Sequence, residues 1–210
     1  MPADRVRLVL WRHGQTDYNA QRRFQGQTDV PLNAVGVSQA QRAARHLAAL
    51  RPAAIFTSDL SRATATAAAL AGLTGLPAAL DKDLRERYGG EWEGLTDTEI
   101  SQRYPDAFAS WTPPGGETSE AVADRAAAAL ERIAGGLDNG AVAVAVSHGA
   151  ALSLGMARLL GLPPELKAIG PLGNCSWSVL GRRDGGWRLL THNAGAPPEP
   201  VVLAEAGDAA

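Results

Sequence analysis

The chain has 210 residues, 45% hydrophobic and 20% charged, the size and make-up of one water-soluble α/β domain. A net charge of −2 excludes a nucleic-acid partner held by bulk charge, so any anion site must be local. With one cysteine, Cys175, no disulfide framework is open to it, and no apolar run is long enough for a membrane span or signal segment; the expected location is the cytoplasm.

Val6 to Trp11 reads as a strand buried on both faces, because its apolar run does not alternate. Asn33 caps an expected helix running to Leu50, with Val37, Ala40, Ala44 and Leu47 facing inward and Arg42 and Arg45 off that face. Ala53 to Ser58 is a second buried strand, and a helix over Asp59 to Ala71 carries Leu60, Thr64, Ala67 and Leu70 at helical spacing. Pro77 to Leu80 suits a short strand, and Thr96 with Glu99 forms a capping-box pattern for a helix ending near Arg103. After a loop over Thr112 to Glu120, an alanine-rich helix to Ala134 points Val122, Ala126, Leu130 and Ile133 inward. Ala141 to Val146 is a third buried strand, followed by a helix from His148 to Leu160 that GLPP stops. CSWSVL and WRLLTH form an expected hairpin across RRDGG. Residues 1–193 are expected to make a single domain and 194–210 a loosely ordered tail.

Strand–helix alternation of this kind predicts a three-layer α/β/α sandwich with a mainly parallel sheet. In such sheets ligands bind beyond the C-terminal ends of the strands. Three polar clusters occupy those positions: Arg12-His13-Gly14, Ser58-Asp59 with Arg62, and Ser147-His148-Gly149. Two arginines and two histidines on one rim are four potential cations, costly to gather unless an anion joins them. Arginine forks match phosphate oxygens, the helix after His148 offers its N-terminal N–H groups, and Gly14 and Gly149 clear side-chain bulk beside each histidine. A phosphoryl group is the expected guest. A neutral imidazole at His13 can attack phosphorus in line, and His148 with the arginines can stabilise the equatorial oxygens. The leaving alkoxide then needs an acid; spacing alone leaves Glu86, Glu91 and Glu93 equally open.

The blocks LWRHGQTDYN, FQGQTDVPLNAVGVSQA, SDLSRATATA, LRERYGGEWEGLT, PGGET and VSHGA, in that order, resemble the histidine phosphatase superfamily, most closely its phosphoglycerate mutase-like branch. The resemblance spans Val6 to Leu180. It implies a phosphoglycerate mutase-like fold, with His13 as the phosphorylated histidine and Arg12 and Arg62 as the phosphate arginines. It also implies Asn19 directed at the phosphoryl group, Gln25 and Gly26 lining the substrate side, Glu86 as proton donor, His148 as the second histidine and Gly149 beside it. The family's phosphoryl transfer uses no metal and no cofactor, so none is expected. Mutases of the branch carry an insertion with a lysine and paired arginines after the glutamate block. Here Arg103 is the only cation between Arg87 and Arg125, which favours hydrolysis of a small phosphate ester over phosphoglycerate mutase-type transfer. A non-catalytic phospho-ligand domain would show loss of His13, Arg62, Glu86 or His148, and all four are present. Within the branch, the blocks are most similar to the glucosyl-3-phosphoglycerate phosphatases of actinobacteria, which makes that ester the first substrate to test.

The remaining conspicuous residues have plainer expected roles. Arg85 and Arg87 are expected to be solvated or paired, His46 on the surface, His192 structural, Cys175 a small buried hydrophobe, and Trp92, Trp177 and Trp187 packing residues. Thr16 is expected to cap local backbone, while Trp111 suits the core and a pocket wall equally. The apolar hairpin and tail would suit a homodimer.

Overall fold

The computed structural model describes residues 6–163, 169–184 and 186–197; of the expected tail, 198–210 lie outside the described residues. In chain order it runs β1 (Val6–Arg12), α1 (Asp17–Ala20), α2 (Ala34–Ala48), β2 (Ala54–Thr57), α3 (Ser61–Thr74) and β3 (Ala78–Leu80). Two 3-10 turns, Lys82–Leu84 and Gly90–Trp92, lead to α4 (Asp97–Arg103) and α5 (Pro105–Ala109). Then come α6 (Ser119–Gly135), β4 (Ala141–Ser147), α7 (Gly149–Leu159), β5 (Trp177–Arg183) and β6 (Gly186–Ala194). The strands form one sheet in the order β3-β2-β4-β1-β5-β6. β1 to β4 are parallel, and β5 is antiparallel to both its neighbours.

The two central strands explain the three layers. AVAVAV in β4 looks uniformly apolar, yet its valines face one way and its alanines the other. Val142, Val144 and Val146, with Val9 and Trp11 of β1, pack on Ala40, Ala44 and Leu47 of α2 and Ala67 and Leu70 of α3. Ala143 and Ala145, with Leu8 and Leu10, pack on Leu130 and Ile133 of α6 and Leu152 and Met156 of α7. Both strand faces are therefore covered, as expected for parallel β-structure.

The structure corrects several local expectations. Val37 is 43% exposed, and the buried face of α2 is instead Gly36, Ala40, Ala43, Ala44 and Leu47. Gly36 sets this rotation: it lies so close to the Gln15 backbone that a side chain there would collide. α3 starts at Ser61, with Leu60 as its N-cap residue, and its buried face includes Arg62 and Thr66 while Thr64 is only half-buried. Gly75, left-handed at φ 73°, ends it. The capping box at Thr96 and Glu99 is present. Two short helices, α1 and α5, were not anticipated, since four or five residues are too few to display a period. Among the described residues no helix is long and apolar enough to cross a membrane.

Register matters most for the site. Arg12 pairs with Ser147, and Thr57 pairs with Val146, so the C-terminal ends of β1, β2 and β4 lie side by side.

Candidate active site

The residues that follow those three strand ends meet. The rings of His13 and His148 are 5.1 Å apart, tilted by 60°. His13 is 2% exposed and His148 and Arg62 are fully buried. A cavity of about 210 Å³ opens beside them, lined by Arg12, His13, Asn19, Gln25, Gly26, Arg62 and Glu86. Arg23, Phe24, Arg87, Trp111 and Ala150 complete the lining. Of the nine residues to which the family resemblance gives a role, seven line this cavity and His148 and Gly149 do not.

Hydrogen bonds assign the tautomer of each histidine. Nδ1 of His13 lies 2.7 Å from the Gly14 carbonyl oxygen, which can only accept, so Nδ1 carries the proton. Nε2 has no partner among the described residues and keeps its lone pair on the cavity side. His148 is arranged in the opposite sense. Nε of Arg62 donates to its Nδ1 at 3.2 Å, so the proton sits on Nε2, which donates to Ser58 Oγ at 2.9 Å. Burial, then the Arg62 and Arg12 charges, push the His13 pKa well below 6.5; burial, Arg62, His13 and Arg12 do the same to His148. Both rings are therefore neutral near pH 7, and the site holds two cations at its heart rather than the four counted from the sequence.

Those two cations are the guanidiniums. Arg62 spends three donors on the protein: one on His148, one on the Thr28 carbonyl at 2.9 Å and one on the Gly26 carbonyl at 2.7 Å. Burial lowers its pKa to about 10, which leaves it charged. Arg12 donates to the Leu172 carbonyl, while its buried Nε has no partner. A buried N–H without an acceptor is costly, and an anion in the cavity would satisfy it.

Hydrogen bonds from neighbouring groups reach two amides. The Thr16 N–H and Asn174 Nδ2 both donate to Oδ1 of Asn19, at 3.1 and 3.0 Å, leaving the Asn19 NH₂ for the cavity. The hydroxyl of Thr16, the N-cap of α1, hydrogen-bonds Oε1 of Gln25 at 2.9 Å, and Gln25 lines the cavity. Gly26 has φ 55° and leaves no room for a side chain against Glu93.

Geometry separates the three glutamates. Glu93 accepts the Gln27, Thr28 and Gly89 N–H groups and holds loops together. Glu91 hydrogen-bonds the Tyr104 side chain. Glu86 alone lines the cavity. Its Oε1 accepts the N–H groups of Arg87 and Ala151 at 2.8 and 2.9 Å, and its Oε2 accepts only that of Ala150, at 3.1 Å. The α7 N-terminus thus spends two N–H groups on Glu86, contrary to the expectation that they would face phosphate.

Other expectations also change. Gly14 donates its N–H to Thr66 Oγ1, and a side chain there would strike the Gly36 backbone, so its smallness serves helix packing. A Cβ on Gly149 would sit 3.6 Å from Arg12, an ordinary contact. Arg85 forms a two-pronged pair with Asp59, as expected, but Arg87 is buried against the Glu117 and Trp111 carbonyls and lines the cavity. Trp111 is a pocket wall, 40% exposed, with φ 51° and its ring edge-on to Trp92 at 5.1 Å. Sequence reasoning missed Arg125, which bonds the carbonyls of Asp83, Arg85 and Glu86 and so holds the Glu86 loop. It sits in an alanine-rich helix with no motif around it. Cys175 is buried, its thiol pushed up to about 12 by burial, and His192 bridges Ser178 and the Gly170 carbonyl.

A family model for the histidine phosphatase superfamily (branch 1) matches residues 8–195. A glucosyl-3-phosphoglycerate phosphatase of Mycolicibacterium vanbaalenii is 39% identical over 94% of this chain and 98% of its own. A metal-independent phosphoserine phosphatase of Arabidopsis thaliana is 36% identical over 86% of this chain and 78% of its own. The structure of a mycobacterial glucosyl-3-phosphoglycerate phosphatase with VO3 is similar at TM-score 0.82 and 38% identity, covering 90% of this chain and 99% of that one.

Proposed function

The chain belongs to the histidine phosphatase superfamily, and from that premise we propose that it hydrolyses glucosyl-3-phosphoglycerate, or a close small phosphate monoester, through a phosphohistidine at His13. The observation that carries this reading is the unpartnered Nε2 of a neutral His13 in a cavity shared with Arg12 and Arg62. Similarity to phosphatases of that ester over nearly the whole chain supports the substrate.

The phosphoryl group sits between the two guanidiniums, with the buried Arg12 Nε and the Asn19 and Gln25 amides as further donors. Nε2 of His13 attacks phosphorus as the P–O bond to the leaving group breaks. The Nδ1–H bond to Gly14 stabilises the positive charge that develops on the ring. Glu86, entering as the acid, gives its proton to the leaving oxygen. Oε2 is the oxygen for this, since it accepts one hydrogen bond where Oε1 accepts two. The resulting carboxylate then takes a proton from water, whose oxygen attacks the phosphohistidine; inorganic phosphate leaves and His13 returns neutral. His148 has both nitrogens occupied, so its role is to position Arg62. Fixed guanidinium charge supplies what a metal would, so EDTA is expected to leave kcat/KM unchanged.

Rapid acid and alkaline quenching during turnover of labelled ester tests the intermediate: an acid-labile, alkali-stable label on His13 is expected, and its absence with unimpaired hydrolysis overturns it. Glu86→Gln should slow glucosyl-3-phosphoglycerate more than p-nitrophenyl phosphate, whose leaving group needs no proton. Equal slowing removes Glu86 from the acid role.

A further inference from the structure

We propose that Arg125 is a positioning residue for proton transfer by Glu86: its guanidinium, anchored on Glu117, sets where the Glu86 carboxyl stands in the cavity. The inference rests on the acid role of Glu86 and adds what aims that acid. The residue concerned belongs to α6 and is not among those lining the cavity.

Glu86 lies between the two 3-10 turns, outside any strand or α-helix. Four consecutive carbonyls there, those of Asp83, Leu84, Arg85 and Glu86, accept from side chains. Ser147 Oγ donates to Leu84 at 2.6 Å. Arg125 takes the other three: Nη1 donates to Asp83 and Arg85 at 2.9 and 2.6 Å, and Nη2 to Glu86 at 2.9 Å. Its remaining donors go to Glu117, Nε to Oε1 at 2.7 Å and Nη2 to Oε2 at 2.8 Å. The guanidinium thus spends its whole fork, three donors on the acid's own stretch of backbone and two on the carboxylate that fixes the fork.

Glu117 ties that fork to the far side of the acid. Its Oε2 also accepts the Tyr88 N–H at 2.8 Å, and its carbonyl accepts Nε of Arg87 at 2.8 Å. Residues before and after Glu86 therefore hang on one ion pair, whose side chains are only 18% and 24% exposed. Without Arg125, the Asp83 and Arg85 carbonyls lose its donors, and Gln27 Nε2 at 3.1 Å is what remains on the Glu86 carbonyl among the described residues. A reacting group misplaced by about 1 Å can cost on the order of 10²-fold in rate. Arg132, further along α6, supplies an internal contrast. It pairs with the Asp81 and Asp83 side chains, but it is 55% exposed and its bonds stop short of Glu86.

The test reads kcat/KM, which covers the steps up to phosphoryl transfer to His13, for glucosyl-3-phosphoglycerate and p-nitrophenyl phosphate. Arg125→Met should lower the ratio of the first to the second about tenfold or more. In a Glu86→Gln background the same change should cost the glucosyl ester less than about threefold, because the acid it positions is gone. Arg125→Lys, with three donors in place of five, should lower the ratio about threefold, and it carries the test if thermal melting shows the methionine variant unfolded. Arg132→Met should leave the ratio within about 1.5-fold of the parent. Equal slowing of both esters by the Arg125 variant that folds, full multiplication of its loss with that of Glu86→Gln, or an equal fall from Arg132→Met overturns the inference. If Glu86→Gln by itself slows both esters equally, the acid role falls and the inference with it. A Glu86 variant that discriminates between the esters, beside an Arg125 variant that does not, defeats the inference alone. Should the parent enzyme not turn over the glucosyl ester, the proposed substrate is refuted, and 3-phosphoglycerate, also an alkyl ester, takes its place in the same ratios.

Discussion

The ends of β1 and β4 are nearly the same object. They pair in register, Arg12 with Ser147, and each is followed by a histidine and a glycine. Their histidines nonetheless hold opposite tautomers. His13 gives its Nδ1 proton to its own neighbour's carbonyl and leaves Nε2 open, whereas His148 has one nitrogen taken by Arg62 and the other by Ser58. Both rings are buried and neutral, so burial does not distinguish them. On the proposed mechanism, what distinguishes the nucleophile from the positioning residue is which nitrogen the surroundings leave unused.

The comparison can be broken most directly at His13. His13→Ala should cost about 10⁴-fold or more in kcat and abolish the quenched phosphoenzyme, because no other histidine lines the cavity among the described residues. Arg62→Ala should cost about 10²–10³-fold, read from kcat/KM. His148→Ala should cost less, about 10–100-fold, and adding it to Arg62→Ala should cost little more, since the two act as one unit. Fully multiplicative losses in that double variant would mean that His148 acts on substrate directly. The smallest effect concerns pH. The lowered pKa of His13 moves its acid limb in kcat/KM well below pH 6.5. Stability carries the same signature with a definite sign. Below about pH 6.5 the unfolded rings bind protons that the native rings refuse, so thermal stability should fall as pH drops through that range. Replacing either histidine by asparagine should flatten the decline, and melting curves from pH 7.5 to 5 would show it.

Much of this was legible beforehand because it depended on patterns local in the chain. Uninterrupted apolar strands, the alanine-rich helix and the capping box at Thr96 each reflect a period or spacing that survives folding. The rule that parallel strands end on a common rim then predicts that Arg12, His13, Arg62 and His148 meet. Glu86 was different: three glutamates within eight residues look alike, and what singles it out is its exposure to the cavity and the N–H groups of α7, more than sixty residues away. Val37 and Gly36 show the same limit in packing, since helical period left the rotation of α2 free by one residue and the Gln15 backbone settled it. Arg125 gave no signal, because besides its pair with Glu117 it binds three carbonyls some forty residues away, and any residue supplies those.

Residue order and spacing were enough for the layered sheet, the strand ends that meet and the phosphate chemistry gathered there, since periodicity and chain direction constrain these over short stretches. The division of labour between the histidines, and the N–H groups that hold Glu86 at the cavity, came from contacts between distant segments. A hydrogen bond across such a distance depends on how whole elements pack, and no spacing along the chain encodes it.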